Sequence, residues 1–195
     1  MEIKKEIRMV DLRAADMPMD SKEMIVEGRA IVFNTPTLMY EYDGNKYFET
    51  IDAAALDSTD MSDVVFRYNH VDSMFIMART RKGSLQLIKD PQGLNIKATM
   101  FDICQARDLY TLIKAGAIDK MSFAFTVAEQ SYNSDTRTRT ILKIKKLYDV
   151  AAVDCPAYSD TEISARSFFE LEREKECKAL EDAELRKRLI LKTYL

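Results

Sequence analysis

KMSFAFTVAEQSYNSDTRTRTILKIKKLYDVAAVD, residues 120–154, is the stretch of the chain that decides the fold. Two segments rich in β-branched, aromatic and other apolar residues flank a short turn-forming sequence, which predicts a long β-hairpin. A turn centred near Ser134 brings Ser122 opposite residues 146–149 of the returning strand. Asp149 lies in that window, so the hairpin predicts a hydroxyl and a carboxylate at the same end of a sheet.

The segments on the N-terminal side of this hairpin add further strands and one helix. Turn residues at 43–45 and 90–93 lie between alternating apolar and polar residues and predict two more hairpins. DVVFRYNH, residues 63–70, predicts a strand that ends at His70, and residues 103–116 place their apolar side chains on one helical face. We therefore predict an α+β fold with a mostly antiparallel sheet or small β-barrel as its centre, accompanied by helices.

The composition changes near the C-terminus. From Ser167 onwards charged residues become dense, Gly and Pro are absent, and leucines recur, which predicts one long helix or two helices broken near Asp182. CPAYSDTEISARS, residues 155–167, is rich in turn-forming residues and predicts a loop before this helix. The chain is thus predicted to comprise a domain over residues 1–166 and a charged helical tail over residues 167–195.

Composition also limits the chemistry. The chain has a single histidine, so zinc or iron sites built on several imidazoles are excluded, and we expect no metal and no cofactor. An odd number of cysteines without metal-ligand spacing indicates a reducing compartment. The net charge of −3 gives no general attraction to nucleic acid, no apolar run has the length of a membrane span, and the charged residues 1–18 predict no secretion signal.

Three residues carry the types of group that acyl transfer to water requires. A hydroxyl such as that of Ser122 becomes a nucleophile only when a base takes its proton, and His70 is the sole imidazole. Asp149 would orient the imidazole and stabilise its charged form. Each residue also fits an ordinary role, Ser122 as a turn residue, His70 as a rim histidine and Asp149 as a solvated edge carboxylate. The pattern alone leaves these alternatives open.

A collinear set of segments resembles the prohead proteases of tailed bacteriophages, the serine peptidases of capsid maturation. The resemblance runs over residues 24–166, most of the predicted domain. The segments that carry it are GRAIVFNTPT, YFETIDAAAL, DVVFRYNH, ARTRKGSLQL, DPQGLNIKATMFD, ARDLYTLIKAGAIDKMSFAFTV and LYDVAAVDCPAYSDTEISAR. This family is similar in fold to the herpesvirus maturation proteases, which implies a closed β-barrel with helices around it.

The resemblance implies roles for individual residues. The histidine of the family's Asn-His segment falls on His70, which implies the general base, and the serine of its Met-Ser-Phe segment falls on Ser122, which implies the nucleophile. The third group falls on Asp149, with Asp154 as the competing carboxylate. For the oxyanion, which needs donors near the developing negative charge, Arg79 and the backbone N–H groups of residues 121–123 are the candidates.

The resemblance also implies a biological setting. Enzymes of this family are packaged inside an immature capsid, the prohead, in the host cytoplasm. There they cleave scaffold protein, the major capsid protein and often themselves. Self-association is expected, with no membrane and no specific nucleic acid as partners. The tail after residue 167 would then serve as a propeptide or a targeting segment.

Three other functions compete with this reading. The first is a catalytically inactive capsid-assembly or scaffolding protein, in which Ser122 and His70 would lie far apart. The second is a Cys–His hydrolase that uses Cys104 or Cys155, neither of which has an assigned base. The third is a nucleic-acid-binding module, for which a basic ribbon would contact phosphates. The ribbon comprises Arg137, Arg139, Lys143, Lys145 and Lys146.

Overall fold

The structure is a computed structural model that describes residues 5–15, 23–154 and 158–193. Its elements in chain order are β1 (Glu6–Ala14), β2 (Ile25–Val32), β3 (Thr37–Tyr42), β4 (Asn45–Ile51), β5 (Val65–Tyr68), β6 (Ala78–Arg79), β7 (Leu85–Asp90), β8 (Gly93–Thr99), α1 (Cys104–Lys114), β9 (Lys120–Asn133), β10 (Thr138–Val153) and α2 (Tyr158–Thr193). One short 3₁₀ turn, Thr80–Lys82, follows β6. The three predicted hairpins and the predicted internal helix are therefore present, and the fold is mostly β with two helices, one of them C-terminal.

The strands form one sheet in the order β3-β4-β10-β9-β1-β2-β8-β7. The two longest strands, β9 and β10, lie at its centre and pair antiparallel with each other. On its other side β10 pairs in parallel first with β4 and then with β5, and β6 pairs with β5. One long strand, β10, therefore connects the N-terminal hairpins to the strand that ends just before His70.

The predicted closed barrel is wrong, because β3 and β7 lie at opposite ends of the strand order and do not pair with each other within the described residues. The sheet is nevertheless strongly curled. Arg8 on β1 and Glu49 on β4 are three strands apart, about 14 Å in a flat sheet. Their side chains meet in a hydrogen bond of 2.5 Å. The curl encloses the core without the strand pairing that closure would require.

The β9–β10 hairpin contains β-bulges that change its register. Next to the turn Thr138 pairs with Asn133, and an unbroken register would place Asp149 directly opposite Ser122. Several irregularities in β10 intervene, and Asp149 instead pairs with Ala124. Because each bulge inserts a residue that has no partner, the number of bulges fixes which residues oppose one another.

The first half of β9 is buried on both faces. Met121, Phe123 and Phe125 point into the main hydrophobic core, which also contains apolar side chains of α1. Ser122 and Ala124 alternate with them on the opposite face, and they too are almost fully screened from solvent. A hydroxyl on this face is therefore held in a largely apolar, buried setting.

A four-residue ionic cluster lies on the core side of the curled sheet. Glu6, Arg8, Glu49 and Arg139 are all buried and come from β1, β4 and β10. Arg139 donates to Glu6 and to Glu49 at 2.7 and 2.9 Å, and Arg8 also donates to both carboxylates. Burial alone would raise the pKa of Glu6, but hydrogen bonds and charge from Arg139 and Arg8 outweigh it and lower that pKa. The cluster ties three strands together.

The C-terminal helix α2 is a single helix over Tyr158–Thr193 without a break near Asp182. The predicted loop over 155–167 is wrong from residue 158 onwards, where the helix has begun, and residues 155–157 lie outside the described residues. Phe169 packs on Tyr47 in an aromatic cluster that anchors the helix to β4. No helix in the described part of the chain is long and apolar enough to cross a membrane.

Candidate active site

The sole histidine lies in a tight turn after β5. Asn69 and His70 both have left-handed backbone conformations, with φ of 49° and 56°. The Asn69 N–H donates to the Ala152 carbonyl at 2.9 Å, which continues the β5–β10 pairing by one residue. Val71 N–H donates to the carbonyl of Tyr68 and closes the turn. This turn directs the imidazole back over the end of β10 rather than away from the sheet.

The imidazole contacts a buried carboxylate. His70 Nδ1 and Asp149 Oδ1 form a short hydrogen bond, and the two side chains are only 14% and 8% exposed. The positions of these residues differ by 79 in the sequence, so the contact depends on the tertiary fold. A carboxylate at Nδ1 favours the tautomer that carries the proton on that nitrogen, which leaves the Nε2 lone pair free.

Ser122 lies on the same face of the sheet as Asp149. Ser122 pairs with Ala151 and Asp149 pairs with Ala124, so the serine and the aspartate are diagonal neighbours on adjacent strands. Such neighbours are about 7–8 Å apart. This separation accommodates an imidazole ring with one hydrogen bond on each side.

Two polar atoms at this site lack partners. Ser122 Oγ and His70 Nε2 are both buried, and neither makes a hydrogen bond with any described residue. Buried polar groups are usually paired, so an unpaired donor and an unpaired acceptor on one face need an explanation. A hydroxyl can donate and Nε2 of the Nδ1-protonated imidazole can accept, so the two groups are chemically complementary.

The competing carboxylate, Asp154, has different partners. Its Oδ2 accepts from the hydroxyl of Tyr68 at 2.5 Å, and its Oδ1 accepts from the side-chain amide of Asn69 at 2.9 Å. The Asp154 N–H in turn donates to Asn69 Oδ1 at 3.3 Å. The sequence patterns did not predict that Tyr68 and Asn69 bind Asp154. The only sequence signal for the two residues is their position directly before His70.

The oxyanion candidates are engaged elsewhere in this conformation. Arg79 forms a bidentate pair with Asp63, with both hydrogen bonds at 2.5 Å. This pairing lowers the pKa of Asp63 and raises that of Arg79. Arg79 lies on β6, three strands away from Ser122 in the sheet. The backbone of residues 121–123 is paired on both sides, with β1 and with β10.

The residues of the rival hypotheses lie outside this arrangement. Cys104 is exposed and lines an apolar cleft of about 750 Å³ beside Phe75, in the segment after His70. Cys155 lies outside the described residues. In the basic ribbon Arg139 is buried in the ionic cluster, and Lys143 and Lys146 form ion pairs with acidic neighbours. A continuous strip of free cations is therefore not present on the described part of this hairpin.

Comparison with solved structures supports the fold. The bacteriophage T4 capsid assembly protease gp21 superimposes with a TM-score of 0.52 over 77% of this chain and 98% of its own, at 12% sequence identity. At that identity the likeness concerns the fold alone. No curated protein is significantly similar to the chain.

Comparison with protein families is more specific. The family model of the caudovirus prohead serine proteases matches residues 8–175, which include the turn at His70, the whole β9–β10 hairpin and the first part of α2. The match covers most of the chain and contains Ser122, His70 and Asp149. The chain therefore belongs to the caudovirus prohead serine protease family.

Proposed function

We propose that this chain is a serine endopeptidase in which Ser122 is the nucleophile, His70 the general base and Asp149 the group that orients the imidazole. One observation carries the proposal. The only imidazole of the chain is held by a buried carboxylate on the same sheet face as a buried serine, and the facing atoms, Nε2 and Oγ, are both unpaired. Hydrogen bonds between nucleophile and base are often long before substrate binds and tighten in the reacting complex.

The proposed chemistry follows from this arrangement. Ser122 Oγ attacks the peptide carbonyl carbon while His70 Nε2 takes its proton, and the carbonyl oxygen acquires the negative charge. Collapse of the tetrahedral intermediate breaks the C–N bond, and the Nε2 proton passes to the leaving amine. Water then attacks the acyl-enzyme with His70 again as base, which releases the acid and returns the proton to Ser122. Asp149 remains ionised throughout and stabilises the imidazolium.

The negative charge on the carbonyl oxygen needs hydrogen-bond donors, and the candidate donors are not directed at Ser122 in this conformation. Arg79 remains our candidate, and it would have to exchange Asp63 for the substrate oxygen. The N–H groups of residues 121–123 would first have to leave the β-ladders. Since Ser122 Oγ and His70 Nε2 are screened from solvent, a substrate can reach them only after the chain that covers this face moves. Activity is therefore expected to require an opening step.

Family membership supports the biological part of the proposal. We infer that the substrates are scaffold protein, the major capsid protein and the enzyme itself, cleaved inside the immature capsid in the host cytoplasm. Self-association there would bring enzyme and substrate to high local concentration. The charged helix α2, anchored by Phe169, would serve as the targeting or propeptide segment.

Covalent labelling tests the catalytic assignment. The full chain, alone and co-expressed with the phage's scaffold and capsid proteins, is treated with a fluorophosphonate, and the modified residue is located by mass spectrometry. We expect a single adduct on Ser122 and its loss in Ser122→Ala and His70→Ala. Ser131→Ala is the matched control, because Ser131 lies exposed on the same strand.

Processing of the co-expressed proteins provides the second measurement. Ser122→Ala should leave the scaffold and capsid proteins at full length, whereas Ser131→Ala should process them like the wild type. A Ser122→Ala chain that still processes its partners would refute the assignment of the nucleophile. A wild-type chain that assembles with its partners without labelling or processing would favour an inactive capsid-assembly protein.

A further inference from the structure

We infer that Asp154 is a positioning residue, which holds His70 over Asp149 by fixing the Tyr68–Asn69 turn without touching the imidazole. The effect on reaction rate rests on the proposed function, whereas the effect on the imidazole does not. The inference starts from the two carboxylates near the end of β10. Asp149 binds the ring itself, and Asp154 binds the two residues directly before it.

The turn that carries His70 needs external support. Asn69 and His70 are consecutive non-glycine residues with positive φ, a conformation that L-amino acids adopt only at a cost. Asparagine and histidine tolerate the left-handed region better than most residues, but it is usually adopted by single residues, so two in succession need support from their surroundings. Without support, the two residues would relax to negative φ, and the imidazole would swing away from Asp149.

Asp154 supplies that support through three hydrogen bonds. Its carboxylate accepts from Tyr68 Oη at 2.5 Å and from Asn69 Nδ2 at 2.9 Å, and its backbone N–H donates to Asn69 Oδ1 at 3.3 Å. The side chain of Asn69 is therefore held reciprocally, as donor and as acceptor. Because Ala152 also accepts from the Asn69 backbone, the turn is fixed to β10 through both main chain and side chain.

This geometry separates a positioning role from a direct charge effect. Both carboxylate oxygens of Asp154 are engaged by Tyr68 and Asn69, and Nδ1 of His70 is already occupied by Asp149. The contacts of Asp154 with Tyr68 and Asn69 therefore reach the imidazole through the backbone of the turn. A neutral amide at position 154 could accept from Asn69 and donate to the Tyr68 hydroxyl, so it should preserve the turn.

The single histidine gives a direct readout, because every imidazole ¹⁵N signal of the full chain comes from His70. We expect the wild type to show the Nδ1-protonated tautomer. Asp154→Ala should give a mixture of tautomers, while Asp154→Asn should resemble the wild type. Asn69→Gly in the Asp154→Ala background should restore the wild-type signals, since glycine adopts positive φ without side-chain support.

The rate of fluorophosphonate labelling at Ser122 is the second readout. A displaced base typically costs up to about a hundredfold, so we expect Asp154→Ala to lower the maximal labelling rate tenfold to a hundredfold with unchanged half-saturation. Asp154→Asn should retain most of the rate. Asp72→Ala is the matched control, because Asp72 lies two residues after His70 but pairs with Arg67 at the surface.

The outcomes separate this inference from the proposed function. If Asp154→Ala leaves both the tautomer and the labelling rate unchanged, or if Asp154→Asn is as impaired as Asp154→Ala, the positioning role is refuted. If the wild type is never labelled but the tautomer still responds to Asp154→Ala and recovers with Asn69→Gly, the positioning role stands and the proposed function fails. Should Asp154→Ala fail to fold, the Asn69→Gly double variant and Asp154→Asn still decide the question.

Discussion

Replacement of Asp149 by asparagine tests the relation between the buried carboxylate and the imidazole. The substitution keeps the shape of the side chain but removes its charge. An asparagine amide can donate to His70 Nδ1, which would force the proton of the neutral ring onto Nε2. In that tautomer Nε2 has no lone pair for the proton of Ser122, so the first step of acyl transfer is blocked.

The size of the effect follows from the charge that develops on the imidazole. When His70 takes the proton of Ser122 it becomes a cation beside Asp149, and both side chains are more than four-fifths buried. Two unit charges about 4 Å apart at an effective dielectric constant of about 20 attract by about 4 kcal/mol. At about 1.4 kcal/mol per factor of ten, the loss corresponds to about a thousandfold. The wrong tautomer adds to this loss.

We expect Asp149→Asn to slow fluorophosphonate labelling of Ser122 by about a thousandfold or more. The free energy of unfolding, measured in urea, should change by far less than the free energy that corresponds to this factor. The ¹⁵N signals of His70 should report the Nε2-protonated tautomer. Asp72→Asn, a surface aspartate near the same histidine, is the control and should label at the wild-type rate. A decrease of less than tenfold in the folded Asp149→Asn protein would refute the proposed role of Asp149.

Two further predictions concern the ionic cluster. Glu49→Gln leaves Arg8 and Arg139 with one carboxylate between them and should lower the free energy of unfolding by about 3–5 kcal/mol in urea titrations. Glu129→Gln, at an exposed ion pair, should change it little, and equal effects would contradict the argument. Since the pKa of Glu6 is lowered from its ordinary value of 4.5, its contribution is complete above that pH and is lost as the pH falls through the lowered pKa. We therefore expect the urea concentration at the unfolding midpoint to decrease once the pH is lowered below about 4.5, in a series from pH 6 to pH 2. A midpoint that stays constant over this range would contradict the lowered pKa.

Local features of the fold could be predicted from sequence because their causes are local. The turn at Asp43 and Gly44 has φ of 50° and 71°, the geometry of a two-residue hairpin that these residue types favour. Residue types likewise indicated the strand before His70, but β5 ends at Tyr68 rather than at His70 as predicted. Barrel closure was not, because it depends on whether β3 meets β7, and no local pattern in either strand encodes that distance.

The roles of the two carboxylates show a second limit. Asp149 and Asp154 have the same chemistry and lie close together in sequence, so residue types give no reason to choose between them. The structure distinguishes them by contacts with the distant turn at His70: one carboxylate meets the imidazole and the other meets the residues before it. Long-range contacts of this kind depend on register, which is the property that single-sequence patterns specify least.

The bulges of β10 explain how this strand can carry Asp149, the partner of the imidazole, and also leave a gap for the His70 ring between Asp149 and Ser122. A register without bulges would set Asp149 directly opposite Ser122, with Cβ atoms about 5 Å apart, too close for a ring and two hydrogen bonds between them. A slip of one residue would turn Asp149 towards the core, onto the face of Phe123 and Phe125 and away from Ser122. The observed slip of two residues keeps Asp149 on the serine face and widens the gap to the diagonal spacing. Insertion of a single residue between the bulges and Asp149 should therefore abolish labelling of Ser122 even if the sheet still forms.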